Sequence, residues 1–168
     1  NKQALIFYDD IFTANNSRET GPAGTKLEAE LSEIQKLVSS QPYAPPMPEI
    51  GAGVPCPKGT YINPAFVVAT SNFILLNTGC RSTDIIDDRI SELVLAVQDK
   101  RIPKDSSFSH LSLFKLKVSV SQFRALHSQR GGWIAPYSPQ HQFPTTIEEF
   151  AAWNMRDLFT PTTPENLV

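Results

Sequence analysis

The first apolar run of the chain passes directly into two acids. Residues 4–8 (Ala-Leu-Ile-Phe-Tyr) are apolar or aromatic, and Asp9 and Asp10 follow at once. A continuous run of this length is typical of a strand buried on both faces of a parallel sheet. Two carboxylates at the end of such a strand are costly to bury without a partner. They therefore predict either a site for a cation such as Mg²⁺ or, more simply, an acidic turn.

A second apolar run ends in the same way. Residues 66–69 (Phe-Val-Val-Ala) lead into Thr70, Ser71 and Asn72. In open α/β sheets, ligands bind beyond the carboxyl ends of the strands, so two such ends side by side would form one site. The amide of Asn72 could orient a water or contact a phosphate there, or it could simply cap a turn.

Helical periodicity fills two of the intervals between apolar runs. Thr25 and Glu28 have the spacing of a capping box, so a helix is predicted to begin at Thr25 and to end at Pro42. A second helix is predicted over about 84–98. The predicted apolar faces are Leu27, Leu31, Ile34 and Val38 in the first helix, and Ile86, Ile90, Leu93, Val94 and Val97 in the second.

The last third of the chain contains both a strand-like alternation of apolar and polar residues and helical patterns. From Phe114 onward, residues 111–120 alternate between apolar and polar, which predicts an edge or half-exposed strand protected by Lys115 and Lys117. A short helix is predicted over 121–128.

A final helix is predicted over about 147–158. Two overlapping Thr-x-x-Glu capping boxes precede it, one beginning at Thr145 and one at Thr146. The tail, 160–168, is predicted to be loose.

Composition narrows the possible classes of protein. The 168 residues are 40% apolar and 19% charged, as in a globular domain. A net charge of −2 gives no overall basic field for nucleic acid, and two cysteines make neither a disulfide framework nor a four-ligand zinc site. No apolar run approaches the roughly 20 residues that span a bilayer. Because the chain begins with Asn1 and opens almost directly on a strand, a fragment or a processed product is expected.

Three stretches together resemble one family. They are residues 7–10 (Phe-Tyr-Asp-Asp), residues 37–47 (Leu-Val-Ser-Ser-Gln-Pro-Tyr-Ala-Pro-Pro-Met), and Lys58-Gly59 followed by the run 66–72. In this order they resemble the superfamily three helicase, or replication ATPase, of picorna-like positive-strand RNA viruses. The resemblance covers roughly residues 4–90.

The resemblance implies a role for particular residues. Asp9 and Asp10 correspond to the Walker B acids, which act on Mg²⁺ and the attacking water, and Asn72 corresponds to the sensor asparagine beside ATP. Arg89 matches one of a pair of arginines that reach the neighbouring subunit's nucleotide. Asp88 stands where the family has the other arginine, which leaves Arg81 as a substitute.

The resemblance also implies a fold and partners. The fold would be an α/β, partial AAA+-like P-loop NTPase domain with a mainly parallel sheet flanked by helices. Residues 1–100 would run from Walker B to the arginine finger, and residues 101–168 would be a C-terminal extension of the same domain. The Walker A loop is absent and is expected before Asn1, so the 168 residues alone are expected to lack ATPase activity.

The implied setting is a replication complex of an RNA virus. The protein would be cut from a polyprotein and would assemble into a ring, a hexamer in the family. Its partners would be RNA, contacted through Lys58 in the Pro-rich loop 41–60, and other viral replication proteins. It would act in the host cytoplasm on membranes, attached through parts outside this chain.

Two other classes compete with this interpretation. One is a polymerase palm, in which a Tyr-Asp-Asp hairpin binds the catalytic metals. That hairpin needs a short return strand after the acids, whereas here a polar loop and a helix are predicted. The other class is a non-catalytic scaffold or oligomerisation segment of a replication complex, in which the acids are relics.

Overall fold

Two sheets of opposite type organise the part of the chain that the structure describes. The computed structural model describes residues 5–11, 22–39, 41–44, 64–71, 86–130 and 143–167. The chain divides into a first unit, Asn1–Ser71, and a second unit, Asn72–Val168. The first unit contains a parallel sheet and the second an antiparallel one.

In the first unit, the two apolar runs that end in polar residues are paired strands. Strand β1 (Leu5–Tyr8) lies parallel to β2 (Phe66–Ala69), in register from Leu5↔Phe66 to Tyr8↔Ala69. Helix α1 (Pro22–Leu37) lies between them in the sequence. Both strands and the helix were predicted, and of the predicted apolar face Leu31 and Ile34 are confirmed as buried. Leu37, which was not predicted, is buried at the end of the helix, whereas the predicted Val38 is only partly buried.

Helix α1 begins earlier than the capping-box pattern predicts. Its first residue is Pro22, so Thr25 lies inside the helix and the prediction of a start at Thr25 is wrong. Proline is well suited to the first helical position, because its fixed φ matches the helix and its missing N–H has no partner there.

The parallel sheet is not buried on both faces, which corrects the prediction from its continuous apolar runs. Leu5 and Phe7 are 67% and 60% exposed, and their register partners Phe66 and Val68 are 70% and 46% exposed. Alternate residues of a strand point to opposite faces, so these four side chains share one face. Burial on both faces requires a packed layer on each side, and the described elements of this unit leave this face open.

The second unit is built on three antiparallel strands in the order β3-β4-β5. Its strands are β3 (Val94–Gln98), β4 (Leu111–Leu116) and β5 (Phe159–Thr162). Among its described residues, the α-helices are α2 (Val120–Gln129) and α3 (Ile147–Ala152), and the 3-10 helices are Arg156–Leu158 and Pro164–Leu167. Helices α2 and α3 both begin with complete capping boxes, Ser119 with Gln122 and Thr146 with Glu149.

An aromatic cluster closes the core of the second unit. Phe123 is fully buried, and its ring centroid lies 5.8 Å from that of Phe159 and 6.1 Å from that of Trp153. Edge-to-face pairs at this separation add to the stabilisation that burial provides. The buried members of the core are Leu95, Val97, Leu116, Val120, Phe123, Trp153, Met155, Leu158 and Phe159.

The predicted helix over 84–98 is wrong. Residues 86–87 are helical, residues 88–89 form a turn, and residues 94–98 are strand β3. In β3, Leu95 and Val97 are buried whereas Ala96 between them is exposed, which is the period of a strand. The apparent helical stripe joined residues of two different elements, and periodicity alone does not separate such short apolar runs.

Strand β4 is central rather than at an edge, and it ends at Leu116 instead of Val120. Lys115 does not guard an edge: its Nζ lies 2.6 Å from Oε1 of Glu92. The prediction of a short helix over 121–128 is confirmed by α2, which extends one residue further at each end.

The end of the chain is more ordered than predicted. The last α-helix stops at Ala152, and residues 159–162 of the supposedly loose tail form β5. Pro161 lies opposite Phe114 on this edge strand, where a residue without an N–H is tolerated.

The α/β class is confirmed at the level of a small parallel sheet, a separate antiparallel sheet and helices. The AAA+-like P-loop arrangement stays a prediction, as does the functional division at residue 100. No helix in the described ranges combines the length and apolar character needed to cross a membrane.

Candidate active site

The polar ends of β1 and β2 lie side by side. The backbone N–H of Thr70 donates to the carbonyl of Tyr8 at 2.9 Å, and the N–H of Ile11 donates to the carbonyl of Thr70 at 2.9 Å. The parallel pairing therefore continues past both strands. It carries Asp9 and Asp10 alongside Thr70, which confirms that the two strand ends meet at one edge of the sheet.

A single hydroxyl joins the two acids to the neighbouring strand. Thr70 Oγ1 donates to Oδ1 of Asp9 at 2.8 Å and accepts from the backbone N–H of Asp10 at 2.8 Å. Asp10 has a φ of 52°, in the left-handed region that is costly for most residues other than glycine but more tolerable for Asp. The chain thus turns sharply at the second acid, and Thr70 holds it there.

A groove opens beside the acids. Its volume is about 190 Å³, which is less than the ~300–1,000 Å³ of a typical pocket for a small molecule. The described groove is therefore large enough for a hydrated ion or part of a larger ligand. The described residues that line it are Tyr8, Asp9, Asp10, Ile11, Glu30, Glu33 and Ile34.

Helix α1 also lines this groove, and its Glu33 forms a hydrogen bond with Tyr8 of β1. The hydroxyl of Tyr8 donates to Oε1 of Glu33 at 3.2 Å. Partial burial, then the negative charge of Glu33 and this hydrogen bond, raise the pKa of Tyr8 to about 12. Tyr8 is therefore a stable hydrogen-bond donor at neutral pH. Burial, followed by the charge of Glu33, also raises the pKa of Tyr43.

The carboxylates of this site fit Mg²⁺ only if other ligands complete its coordination. Across the described ranges, no three side chains of His, Cys, Asp or Glu are grouped so that they could hold a metal ion. Asp9 and Asp10 offer two carboxylates at an exposed strand end. Because Mg²⁺ is often held by one or two carboxylates with waters and substrate phosphates, the pair fits this ion together with a phosphate ligand.

Comparison with known proteins bears on this first unit. Residues 1–73 match the RNA helicase family. The match supports an RNA helicase or NTPase relationship at this coarse level, and it spans both strand ends of the site. No curated protein and no solved structure matches the chain.

Arg89 lies in the second unit, beyond the segment that matches the RNA helicase family. It is exposed in a turn, and its side chain has no hydrogen bond or ion pair with any described residue. Its acidic neighbours are engaged elsewhere. Arg124 donates to the buried carboxylate of Asp87 at 2.6 and 3.0 Å, and Ser121 Oγ donates to Asp88 Oδ1 at 2.8 Å.

Three other predicted residues lie outside the described ranges. They are Asn72, which directly follows the described Ser71, Lys58 and the alternative arginine Arg81. Asn72 and Lys58 fall within the segment that matches the RNA helicase family, whereas Arg81 does not. Their proposed roles stay predictions.

Sequence reasoning missed Thr70, Glu30 and Glu33 as parts of the site. Each glutamate immediately precedes a buried residue of α1, Leu31 or Ile34, so each borders the apolar face of the helix. That position could have indicated that they face the strand ends. For Thr70, the available signal was its place as the first polar residue after β2.

Proposed function

We propose that this chain belongs to a replication NTPase of an RNA virus, of the superfamily three helicase type, and that it carries the Mg²⁺ side of the ATP-hydrolysing site. The observation that carries the proposal is the position of Asp9 and Asp10 at the end of a parallel strand, beside the polar end of its neighbour. The RNA helicase match over residues 1–73 supports it.

Asp9 and Asp10 would have different roles in hydrolysis. One of Asp9 and Asp10 would hold Mg²⁺ and the other would polarise or orient the attacking water, while Asn72 would fix that water opposite the γ-phosphate. When bound, Mg²⁺ would neutralise charge on the phosphates. Phosphoryl transfer depends on positioning and electrostatics, so the hydrogen bonds from Thr70 that hold Asp9 and Asp10 in place support this role.

Assembly would complete the site. In this proposal Arg89 reaches the nucleotide of a neighbouring subunit in a ring, a contribution worth ~10³–10⁵-fold in turnover where arginine fingers are known. Its side chain is exposed and has no ion pair within the described part of the chain, which supports this role. Arg81 is the alternative. Lys58 would contact RNA as a point charge, and other viral replication proteins at host cytoplasmic membranes would be further partners.

ATP hydrolysis by the full-length protein tests the proposal. Asp10→Asn should reduce Mg²⁺-dependent turnover by at least about 100-fold without loss of folding, because the side chain is exposed. Glu148→Gln, which alters an exposed acid in the first turn of α3, is the matched control and should retain activity. Normal turnover of Asp10→Asn would contradict the assigned role.

A scaffold function is the second candidate. The exposed apolar face of the parallel sheet, formed by Leu5, Phe7, Phe66 and Val68, favours it, because such faces are often covered by another chain. Titration of the full-length protein with Mg²⁺ and ATP separates the two candidates. Saturable binding supports the NTPase, and its absence supports the scaffold.

The polymerase palm is disfavoured by strand direction. Strand β1 pairs in parallel with β2, some 60 residues later in the chain. A Tyr-Asp-Asp hairpin instead pairs antiparallel with the strand that immediately follows the acids.

A further inference from the structure

We infer that Thr70 is a positioning residue that holds the Asp9 carboxylate and the Asp10 backbone in the geometry needed to bind a divalent cation. The inference rests on the proposed function and deepens it, because it adds to the acid pair a residue that acts only through those acids. The hydroxyl of Thr70 bridges two adjacent residues of one strand from the end of the other strand.

The bridge uses the hydroxyl in both of its capacities. A threonine hydroxyl has one proton to donate and lone pairs to accept with. Thr70 gives its proton to Oδ1 of Asp9 and receives the Asp10 N–H, both at 2.8 Å. The bond to the ionised carboxylate is charge-assisted and so stronger than a neutral one. With Oδ1 held in this way, Oδ2 would be the oxygen of Asp9 that takes the cation.

The bridge also compensates for an unfavourable backbone conformation. Asp10 turns with a φ of 52°, and such conformations persist only where surrounding contacts hold them. The Asp10 N–H and the backbone of Thr70 supply these contacts. The Thr70 carbonyl accepts from Ile11 and its N–H donates to Tyr8. Backbone pairing would therefore keep the strands together without the hydroxyl, while the acids would lose their orientation.

Thr70→Val and Thr70→Ser form a matched pair for testing this role. Valine keeps the β-branched shape that suits a strand end but removes the hydroxyl, whereas serine keeps the hydroxyl. Thr160→Val, at an exposed position of β5 in the second unit, controls for the substitution itself. The site is exposed, so all three variants are expected to fold.

The first readout requires neither metal nor nucleotide. Hydrogen exchange of the Asp10 amide, followed by NMR in the metal-free full-length protein, should be about 5–10-fold faster in Thr70→Val, since the N–H loses its acceptor. In Thr70→Ser and Thr160→Val it should stay within about 2-fold of the wild type. Unchanged exchange in Thr70→Val would overturn the bridge.

The second readout is the affinity for Mn²⁺ alone, measured by calorimetry with the same proteins. Loss of a residue that orients a metal ligand typically costs 10–100-fold in affinity, so Thr70→Val should bind Mn²⁺ at least about 10-fold more weakly and Thr70→Ser nearly as well as the wild type. Equal affinity of Thr70→Val and wild type would overturn the positioning role.

The two proposals fail in distinguishable ways. If Thr70→Val matches the wild type while Asp10→Asn loses hydrolysis, the bridge is refuted and the NTPase function stands. If the wild type fails to hydrolyse ATP but Thr70→Val still loses Mn²⁺ affinity and Asp10 protection, the bridge stands and the NTPase function is refuted.

Discussion

The two units of the chain differ in how they use apolar residues. The first unit has a parallel sheet with an apolar face exposed to solvent and its polar strand ends gathered around a groove. The second has an antiparallel sheet closed by a buried aromatic cluster. Only the first falls within the match to RNA helicases. The acid pair and the groove thus lie where burial is least complete, whereas the second unit is organised around its core.

This contrast has a physical basis. A two-stranded sheet is marginally stable in water unless other elements pack on it, and in the described part of the first unit the sheet has two strands. The hydroxyl bridge and the Tyr8–Glu33 hydrogen bond fix local geometry there without deep burial. In the second unit, buried side chains and the Asp87–Arg124 ion pair hold the fold. Substitutions should therefore have different consequences in the two units.

The largest effect is expected from Phe123→Ala in the core of the second unit. Phe123 is fully buried among aromatic rings, and such truncations lower the free energy of unfolding by ~3–5 kcal/mol. Urea denaturation followed by Trp fluorescence measures the loss. A change below about 1 kcal/mol would contradict a closed core in this unit.

The next effect concerns the Asp87–Arg124 pair. The Asp87 side chain is 3% exposed, and Arg124 Nε lies 2.6 Å from its Oδ2. Asp87→Ala would leave the half-buried Arg124 unpaired, at a cost of about 3 kcal/mol in unfolding free energy. Arg89→Ala, two residues away, is the control and should change stability by less than about 0.5 kcal/mol. Equal losses in the two variants would show that the pair is not structural.

Stability of the second unit should also depend on pH through His127. Burial, and then the charge of Arg124, lower the pKa of His127 below its ordinary value of 6.5. The unfolded chain therefore binds the proton more readily, so the unfolding free energy should fall as the pH drops below about 6.5. Denaturation curves between pH 5 and 8 test this, and His127→Gln should have a flatter profile. An unchanged slope in that variant would assign the pH dependence to another group.

The smallest effect on stability is expected on the exposed face of the parallel sheet. Leu5→Ser and Phe7→Ser change side chains that are 67% and 60% exposed, so each should alter the unfolding free energy by no more than about 0.5 kcal/mol. The same urea titrations measure this. A loss approaching that of Phe123→Ala would mean that this face is packed, and the contrast between the two units would disappear.

The sequence predicted secondary structure best where a whole apolar run belongs to a single element. The runs at residues 5–8 and 66–69 indicated two strands whose polar ends meet, and this is what the structure has. Reasoning failed where neighbouring elements are short: Ile86 and Val97 fit one helical stripe, yet they lie in a turn of helix and in strand β3. The edge strand β5 was missed because Pro161 within the run argues against a strand, whereas an edge strand paired with β4 tolerates it.

The site was predictable only in part. Adjacent acids after an apolar run identify a strand end, so Asp9 and Asp10 could be singled out from the sequence. The Thr70 bridge depends on the register between strands some 60 residues apart, and Glu33 depends on how α1 faces Tyr8. The spacing of residues along the sequence predicts neither the Thr70 bridge nor the contact between Glu33 and Tyr8.

Mg²⁺-dependent ATP hydrolysis by the full-length Asp9→Asn/Asp10→Asn protein tests the central claim most directly. Both side chains keep their size and lose their charge, and Asp9 can still accept from Thr70 through its amide oxygen. Turnover at saturating ATP should fall to background, while the urea midpoint should remain that of the wild type. Full activity in this double variant would contradict the assignment of the acid pair as the catalytic centre.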